Sequence, residues 1–504
     1  MHRSIRFVLS ILFVVVLCWS CAQAPGDTQP PSVEVEQRSG IQIAEMLEAR
    51  IPELMAAARI PGLSICVIDD SEIAWCGAFG ITDAGTAAPV GLTTAFQAAS
   101  LSKPVFAYTV LRLADQGLIE LDRPLVEYVG LEKARKLHLG DAFDDPRVEA
   151  ITARMVLTHT SGFPNWRQNG ELVLLFDPGE RFGYSGEGIG LLQQVVEQIT
   201  GLSLEEMARV ETFEPLGMTH STYTASNIDL ANYAWPHDGG GAADPRPAEL
   251  EAQLAKARSH AAASLTTTAS DYARFLIALI NGVGLDAATF ADLVRPQVDV
   301  DEGGGVAWGL GTGLERSETG IRVWHWGDNQ NSKAFYVVDP ATGNGFVYFA
   351  NSLNGLSIIS DLLEIAMPGD HPLLDGALLS SYPAYDSPGF VFESAVYAGG
   401  AEQAMVVVRR LRGEGTITQV PEGTINNMGY WLLREDRVDE AISLFELNAE
   451  LFPESWNVYD SLGEAQLQKG LRDKALANYR RSLELNPQNK GAERVLSEAG
   501  VSVP

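Results

Sequence analysis

Hydrophobic residues recur along the chain in two periods, and the switches between them mark out its elements. At helical spacing they predict helices over 41–58, from Ser100 to about Gln116, over 189–199 and near 357–366. A further helix, N-capped by Ser270, runs through Asp271 to Ile280. Short alternating or β-branched runs predict strands over 62–68, 73–77, 321–326, 334–339 and 345–349. The first two form a hairpin opened by Pro61-Gly62 and turned at Asp69-Asp70-Ser71-Glu72. The run 151–162 reads as a short helix ending in a turn, Pro178-Gly179 as a break, and 236–247 as a surface loop. Strands at both ends with helices between them predict an α/β fold whose sheet joins the N- and C-terminal segments.

A longer period governs the C-terminal part. Gly429 and Gly463, Ala441 and Ala475, Phe445 and Tyr479, and Pro453 and Pro487 are each 34 residues apart, the tetratricopeptide spacing. Residues 395–412 should add a helix to this array. One repeat cannot bury its own face, so two plus flanking helices must dock on each other or on the preceding body. Such arrays contact mainly their neighbours, so removing the chain after about residue 390 is expected to leave the body's activity nearly unchanged. The proline-spaced stretch 367–394 reads as a linker. The expected plan is a signal segment 1–21, a tether 22–38, a catalytic-sized domain 39–366, the linker 367–394, and all-α repeats 395–504.

A chain of 504 residues has ample material for several domains. Its formal charge of −29 argues against nucleic acid or anionic lipid as a partner, because both require basic patches. Arg3 and Arg6 precede an apolar run, 7–17, too short to span a bilayer, which is the pattern of an export signal. Leu17-Cys18-Trp19-Ser20-Cys21 resembles a lipoprotein processing site, with Cys21 the residue to be lipidated; the competing site, Ala22-Gln23-Ala24, is followed by Pro25. The expected location is the cell envelope or periplasm, with membrane attachment only through that lipid. Residues 22–38, rich in Pro, Gln and Glu, would be the tether. With a three-residue turn in the first hairpin Cys66 and Cys76 face each other, either joined in an oxidising compartment or as two reduced core thiols.

The candidate chemistry begins at Ser100-Leu101-Ser102-Lys103, the chain's only S-x-x-K. A serine and a lysine three residues apart on a helix share a face, and a buried lysine can lose its proton and accept the serine's. The positive helix N-terminus beside it further disfavours the ammonium. The bland reading is a capped helix start with a surface lysine, but the run after Lys103 is too apolar for comfortable solvation. No metal-ligand cluster stands out among the histidines and cysteines, and no cofactor is implied. The absence of any serine with glycine at both −2 and +2 argues against an α/β-hydrolase.

Ser100-x-x-Lys103, Tyr184-Ser185-Gly186 and His325-Trp326-Gly327 follow in fixed order, supported by the stretches 157–162 and 266–271. Over about 40–366 they resemble serine β-lactamases of the class C type and the related penicillin-binding proteins and esterases. The helical array behind resembles family members with tetratricopeptide tails. The resemblance implies a β-lactamase/transpeptidase-like fold, an antiparallel sheet flanked by helices plus a helical subdomain. It also implies an acyl-enzyme mechanism. Ser100 would be the nucleophile, Lys103 its activator, and Tyr184 a proton relay kept acidic by Lys103. The N–H groups of Ser100 and Asp328 would form the oxyanion hole, with His325 and Gly327 along the substrate edge. His159 is assigned to loop structure.

Two departures bear on substrate. Gly186 stands where many relatives carry an asparagine that holds the substrate amide, and His325 where many carry a lysine that pairs with a carboxylate. An unperturbed imidazole there would gain charge, and pair better with a carboxylate, as the pH falls toward 6. The altered handles favour an exported esterase or amidase acting on a small-molecule or peptide substrate. The rivals are a D-alanyl-D-alanine carboxypeptidase or β-lactamase, and a vestigial binding protein working through 395–504.

Overall fold

The computed structural model describes residues 38–140, 143–244, 247–318 and 320–501. The expected signal segment, Cys21 and the tether up to residue 37 lie outside the described residues. Arg38, the last residue assigned to the tether, donates to the Glu364 and Ile365 carbonyls, both at 3.0 Å.

Eight strands form one antiparallel sheet. In spatial order they are Glu72–Gly80, Gly62–Asp69, Asn344–Ala350, Lys333–Asp339, Gly320–Asp328, Gly313–Ser317, Val306–Trp308 and Val298–Asp299. The N-terminal hairpin thus pairs with the last strand of the domain, as the predicted order of elements requires. Period-2 alternation sends Phe346, Tyr348 and Ala350 to one face and Val347 and Phe349 to the other. The helices Gly40–Ala58 and Ile359–Ala366 cover the first face through Leu47, Ile51, Leu54 and Leu362. The helices Ser102–Asp115, Gly186–Thr200 and Ala269–Ile280 cover the second through Phe106, Leu192 and Phe275. This is the β-lactamase/transpeptidase architecture. The three short strands between 298 and 317 were not predicted, since runs of two, three and five residues carry little readable alternation.

The hairpin departs from expectation in detail. Its turn has two central residues, Asp70 (φ 51°) and Ser71 (φ 60°), the twist that suits a tight hairpin. A bulge after Val67 then restores the register that sets Cys66 opposite Cys76, and the two are joined as a disulfide.

Residues 367–394, read as a linker, are packed onto the body. Leu373, Leu379 and Phe390 are buried with the sheet residues Phe335 and Phe346. The buried Glu315 carboxylate accepts from Leu373 N–H (3.1 Å) and faces His371 Nδ1 (3.1 Å). Arg322 donates to the Asp370 carbonyl at 3.0 Å.

Beyond Pro388–Glu414 come the helix pairs Glu422–Arg434 with Val438–Leu451 and Trp456–Gln468 with Arg472–Leu485, then Lys490–Glu498. The 34-residue period has a structural counterpart. A Cβ on Gly429 would meet the Phe445 ring at 2.4 Å, and one on Gly463 the Tyr479 ring at 3.2 Å. The tail does not stand apart. Arg59 donates to the Ser394 carbonyl (2.8 Å) and lies 5.3 Å from the Tyr397 ring centroid. Tyr397 rests on Gly239 and Gly240, where an added Cβ would come within 2.9 Å of its ring. The tail helices contact mainly one another, as expected; the contact with the body is made ahead of the helix break at Gly399-Gly400, through Ser394 of the stretch read as linker and Tyr397.

Candidate functional site

Ser100 lies in a short 3₁₀ turn, Ala99–Leu101, between the strand Phe96–Gln97 and the helix Ser102–Asp115. The helix starts two residues later than predicted, so the serine stands just ahead of its N-terminus. Ala99 holds φ 49°, a conformation disfavoured for a residue with a Cβ and sustained only where the surroundings over-determine it. They do so here. Ser102 Oγ donates to the Ala99 carbonyl (2.5 Å) and accepts from Leu265 N–H (3.0 Å). Tyr272 and Tyr223 donate to the Leu101 and Ser102 carbonyls at 2.9 and 2.6 Å. Apart from the Ser102–Ala99 bond, these supports come from distant sequence and carry no local signal.

Lys103 is one turn along, 1% exposed, with Nζ 3.0 Å from Ser100 Oγ and 2.9 Å from the Ala262 carbonyl. Burial pulls its pKa down to about 7, so a substantial fraction is the neutral amine at neutral pH. The amine sits 4.7 Å from the Tyr184 ring centroid.

Tyr184 enters from the loop before the helix Gly186–Thr200 and is packed among aromatic rings. Its centroid lies 4.4 Å from that of His159, 4.9 Å from Trp326 and 5.9 Å from Trp308. Its hydroxyl is shielded and makes no hydrogen bond within the described residues. Burial drives the phenol well above its ordinary range, with the Ser100 hydroxyl a partial counterweight. The expectation that Lys103 keeps it acidic is corrected: Tyr184 is a protonated donor at any physiological pH. His159, assigned to loop structure, is part of this cluster. It holds φ 55° and its Nδ1 accepts from Ser185 N–H at 3.1 Å, fixing the residue after Tyr184. Burial, then Lys103 and His325, keep it neutral.

The strand Gly320–Asp328 closes the other side. Its pairing with Gly313–Ser317 ends at Trp324, so 325–328 have no strand partner on that edge among the described residues. Trp324 turns its carbonyl to that edge to accept from Thr312 Oγ1 (3.1 Å); by the two-residue period Trp326 and Asp328 point their backbone groups the same way. His325 and Gly327 alternate with them. His325 is 0% exposed, donates from Nδ1 to the Trp326 carbonyl (2.7 Å) and leaves Nε2 unpartnered. Burial, with Lys103 adding to it, lowers its pKa to about 3. The expected gain of charge toward pH 6 is thus corrected: this imidazole is neutral throughout that range. Gly327 serves packing, because a Cβ there would lie 2.6 Å from the Ala98 carbonyl oxygen, behind the turn that carries Ser100.

A cavity of about 700 Å³ opens over Ser100, bounded by Tyr184, Trp326, Asp328, Asn165 and Tyr382. One arm is roofed by the helix Pro247–Leu254, absent from the sequence reading; its Leu250 packs with Tyr233 and Trp235. His325 and Gly327 do not line the cavity, whereas Trp326 and Asp328 border it. Asp328 Oδ1 receives Lys333 Nζ (2.5 Å) and Gln330 N–H (2.7 Å), and Oδ2 receives the Tyr382 hydroxyl (2.7 Å). At Gly186 the missing side chain is accounted for by the loop above it. The Asn165 carbonyl accepts from Gly186 N–H (3.0 Å) and would lie 2.7 Å from a Cβ there. That loop is clamped by Arg167 on the buried Glu187 carboxylate (2.6 Å).

Residues 47–361 match the family model described as Beta-lactamase, and the chain belongs to that family. Its members are serine hydrolases of one fold and include esterases, penicillin-binding proteins and β-lactamases. The chain is 26% identical over 344 residues to Penicillin-binding protein 4 of Amycolatopsis lactamdurans, spanning 63% of this chain and 87% of that one. It is 27% identical over 238 residues to Esterase EstB of Burkholderia gladioli, spanning 41% of this chain and 57% of the esterase. EstCE1, a hydrolase with promiscuous acyltransferase activity, superposes with a TM-score of 0.55 at 19% identity, over 66% of this chain and 99% of its own. The octameric penicillin-binding protein homologue from Pyrococcus abyssi gives 0.53 at 22% identity, over 71% and 82%. These superpositions establish a shared fold.

Proposed function

We propose that the protein is an exported serine hydrolase that cleaves an ester or amide bond through a Ser100 acyl-enzyme. The observation that carries this is the buried Lys103 amine, 3.0 Å from Ser100 Oγ and half-neutral near pH 7. Neutral Lys103 takes the Ser100 proton as Oγ bonds to the substrate carbonyl carbon. The carbonyl oxygen, now negative, is held by the N–H groups of Ser100 and Asp328. The bond to the leaving group breaks, and the Lys103 ammonium returns its proton to that group, with the protonated Tyr184 hydroxyl at hand to relay it. A water then gives a proton to the restored amine and attacks the acyl carbon. The Ser100 ester breaks and Oγ recovers its hydrogen.

An uncharged ester fits best. Neutral, buried His325 offers a substrate carboxylate no charge, and Gly186 offers no side-chain amide. A second reading, a D-alanyl-D-alanine carboxypeptidase or β-lactamase, is favoured by Arg258, which lines the cavity and could meet a carboxylate. A vestigial binding protein is disfavoured because such a site need keep neither the Lys103–Ser100 contact nor the strained turn beneath it. The Cys66–Cys76 disulfide supports export to an oxidising compartment, with Cys21 the proposed lipid anchor. No described helix is long and apolar enough to cross a membrane. The 34-residue recurrence supports a tetratricopeptide tail that seats a protein partner. An activated ester, a chromogenic cephalosporin and a D-alanyl dipeptide, assayed side by side with Ser100→Ala as control, test the reading. Turnover of the ester alone, lost in Ser100→Ala, is expected; efficient turnover of the dipeptide or cephalosporin would favour the second reading.

A further inference from the structure

Asp328 is held from two directions that have different origins. Its Oδ1 is bonded by Gln330 and Lys333, both in its own hairpin. Its Oδ2 receives one side chain, the hydroxyl of Tyr382, 54 residues away and past the end of the family-matched region at 361. The same hydroxyl accepts from Trp326 Nε1 at 3.3 Å. The Tyr382 ring lines the cavity and lies 5.6 Å from Lys333 Nζ. One residue therefore ties together both side chains that the strand end presents to the cavity.

The segment carrying Tyr382 is fastened on both sides. Before it, Leu373 N–H is bonded to the buried Glu315 carboxylate, Arg322 holds the Asp370 carbonyl, and Leu379 is 4% exposed. After it, Tyr385 N–H donates to the Ser357 carbonyl (3.2 Å) and the Tyr385 hydroxyl receives Arg50 (3.2 Å). A tyrosine mounted in this way is a fixed part of the wall. Burial, with the neighbouring Asp328, raises its phenol well above the ordinary range, so it remains a donor.

We infer that Tyr382 is a positioning residue of the Ser100 site: its hydroxyl fixes Asp328, and so the backbone N–H that Asp328 presents at the unpaired strand edge, the oxyanion donor proposed above. The inference rests on the acyl-enzyme reading above. An oxyanion donor acts on the transition state, so loosening it lowers kcat and leaves KM alone, whereas loss of a mere wall contact would act on KM.

The test compares the full-length protein with Tyr382→Phe, which keeps the ring and removes only the hydroxyl, on an activated neutral ester. The expected result is a kcat about tenfold lower, the scale of one hydrogen bond to a charged group, with KM within about twofold and a melting temperature at most a few degrees lower. Asp328→Asn should lower kcat as well, and adding Tyr382→Phe to it should cost little more, since both act through one contact. Unchanged kcat in Tyr382→Phe, a change confined to KM, or losses that multiply in the double variant would each overturn the inference. Ser100→Ala reports separately on the acyl-enzyme reading: its activity must vanish whatever Tyr382 does.

Discussion

Lys103 Nζ stands 3.0 Å from Ser100 Oγ, in a place where burial sets its proton affinity and no carboxylate is paired with it among the described residues. On the proposed acyl-enzyme reading, that relationship makes Lys103 the base, and its lowered proton affinity lets it act near neutrality.

The first consequence is kinetic. With a pKa of about 7, Lys103 is protonated below that pH and cannot accept the Ser100 proton. Ester kcat/KM should fall nearly tenfold per pH unit below about 6 and level off above about 8. A pH–rate profile for a neutral ester checks this; a flat profile down to pH 5 would exclude Lys103 as the base.

The second is thermodynamic. The unfolded chain holds the Lys103 proton up to about 10.5, the folded chain only to about 7. Between these values the unfolded state binds more protons, so the lysine's contribution to stability rises with pH across that window. Lys103→Met should be inactive yet more stable than wild type at pH 6 by up to about 5 kcal/mol, and the gap should close toward pH 10. Denaturant unfolding at both pH values measures it; a gap that does not narrow would contradict the buried-lysine account.

The third concerns His325. An imidazole with a pKa of about 3 carries no charge at pH 6 or 8. The ratio of kcat/KM for a cephalosporin to that for a neutral ester, in which the Lys103 limb cancels, should therefore be the same at both. A ratio that climbs at pH 6 would show that His325 titrates in the site. Replacing it with lysine should not help carboxylate substrates, because the new ammonium would be buried beside Lys103.

The parts of this site that the sequence disclosed are those whose chemistry is local. Ser100 and Lys103 share a helical turn, Tyr184 precedes a readable helix start, and Cys66 and Cys76 lie in one hairpin. Long-range placement was not legible. Tyr382 sits in a stretch whose prolines suggested a linker, and no nearby pattern reveals that its hydroxyl reaches Asp328. His159 looked like a loop residue because the ring it packs on, Tyr184, is 25 positions away. The charge of His325 was misjudged for a related reason: burial depends on Trp308, Trp326 and Lys103 together, not on the residue's type. The cysteine register depended on a bulge, which leaves no mark in hydrophobic alternation.

The fourth prediction follows from the contact made ahead of the helix break at Gly399-Gly400. Cutting the chain after residue 390 removes Ser394 and Tyr397, exposing Arg59 and uncovering Gly239-Gly240 at the base of a loop whose Pro236 and Asp244 line the cavity. The shortened protein should melt several degrees lower and show an altered KM. If melting temperature and kinetics both match the full chain, the contact contributes nothing.

The most direct test of the central claim is covalent. Incubation with a fluorophosphonate probe, followed by peptide mass spectrometry, should place the adduct on Ser100. Labelling should disappear in Ser100→Ala and fall steeply in Lys103→Ala. An adduct on another residue, with Ser100→Ala retaining full ester hydrolysis, would contradict the account.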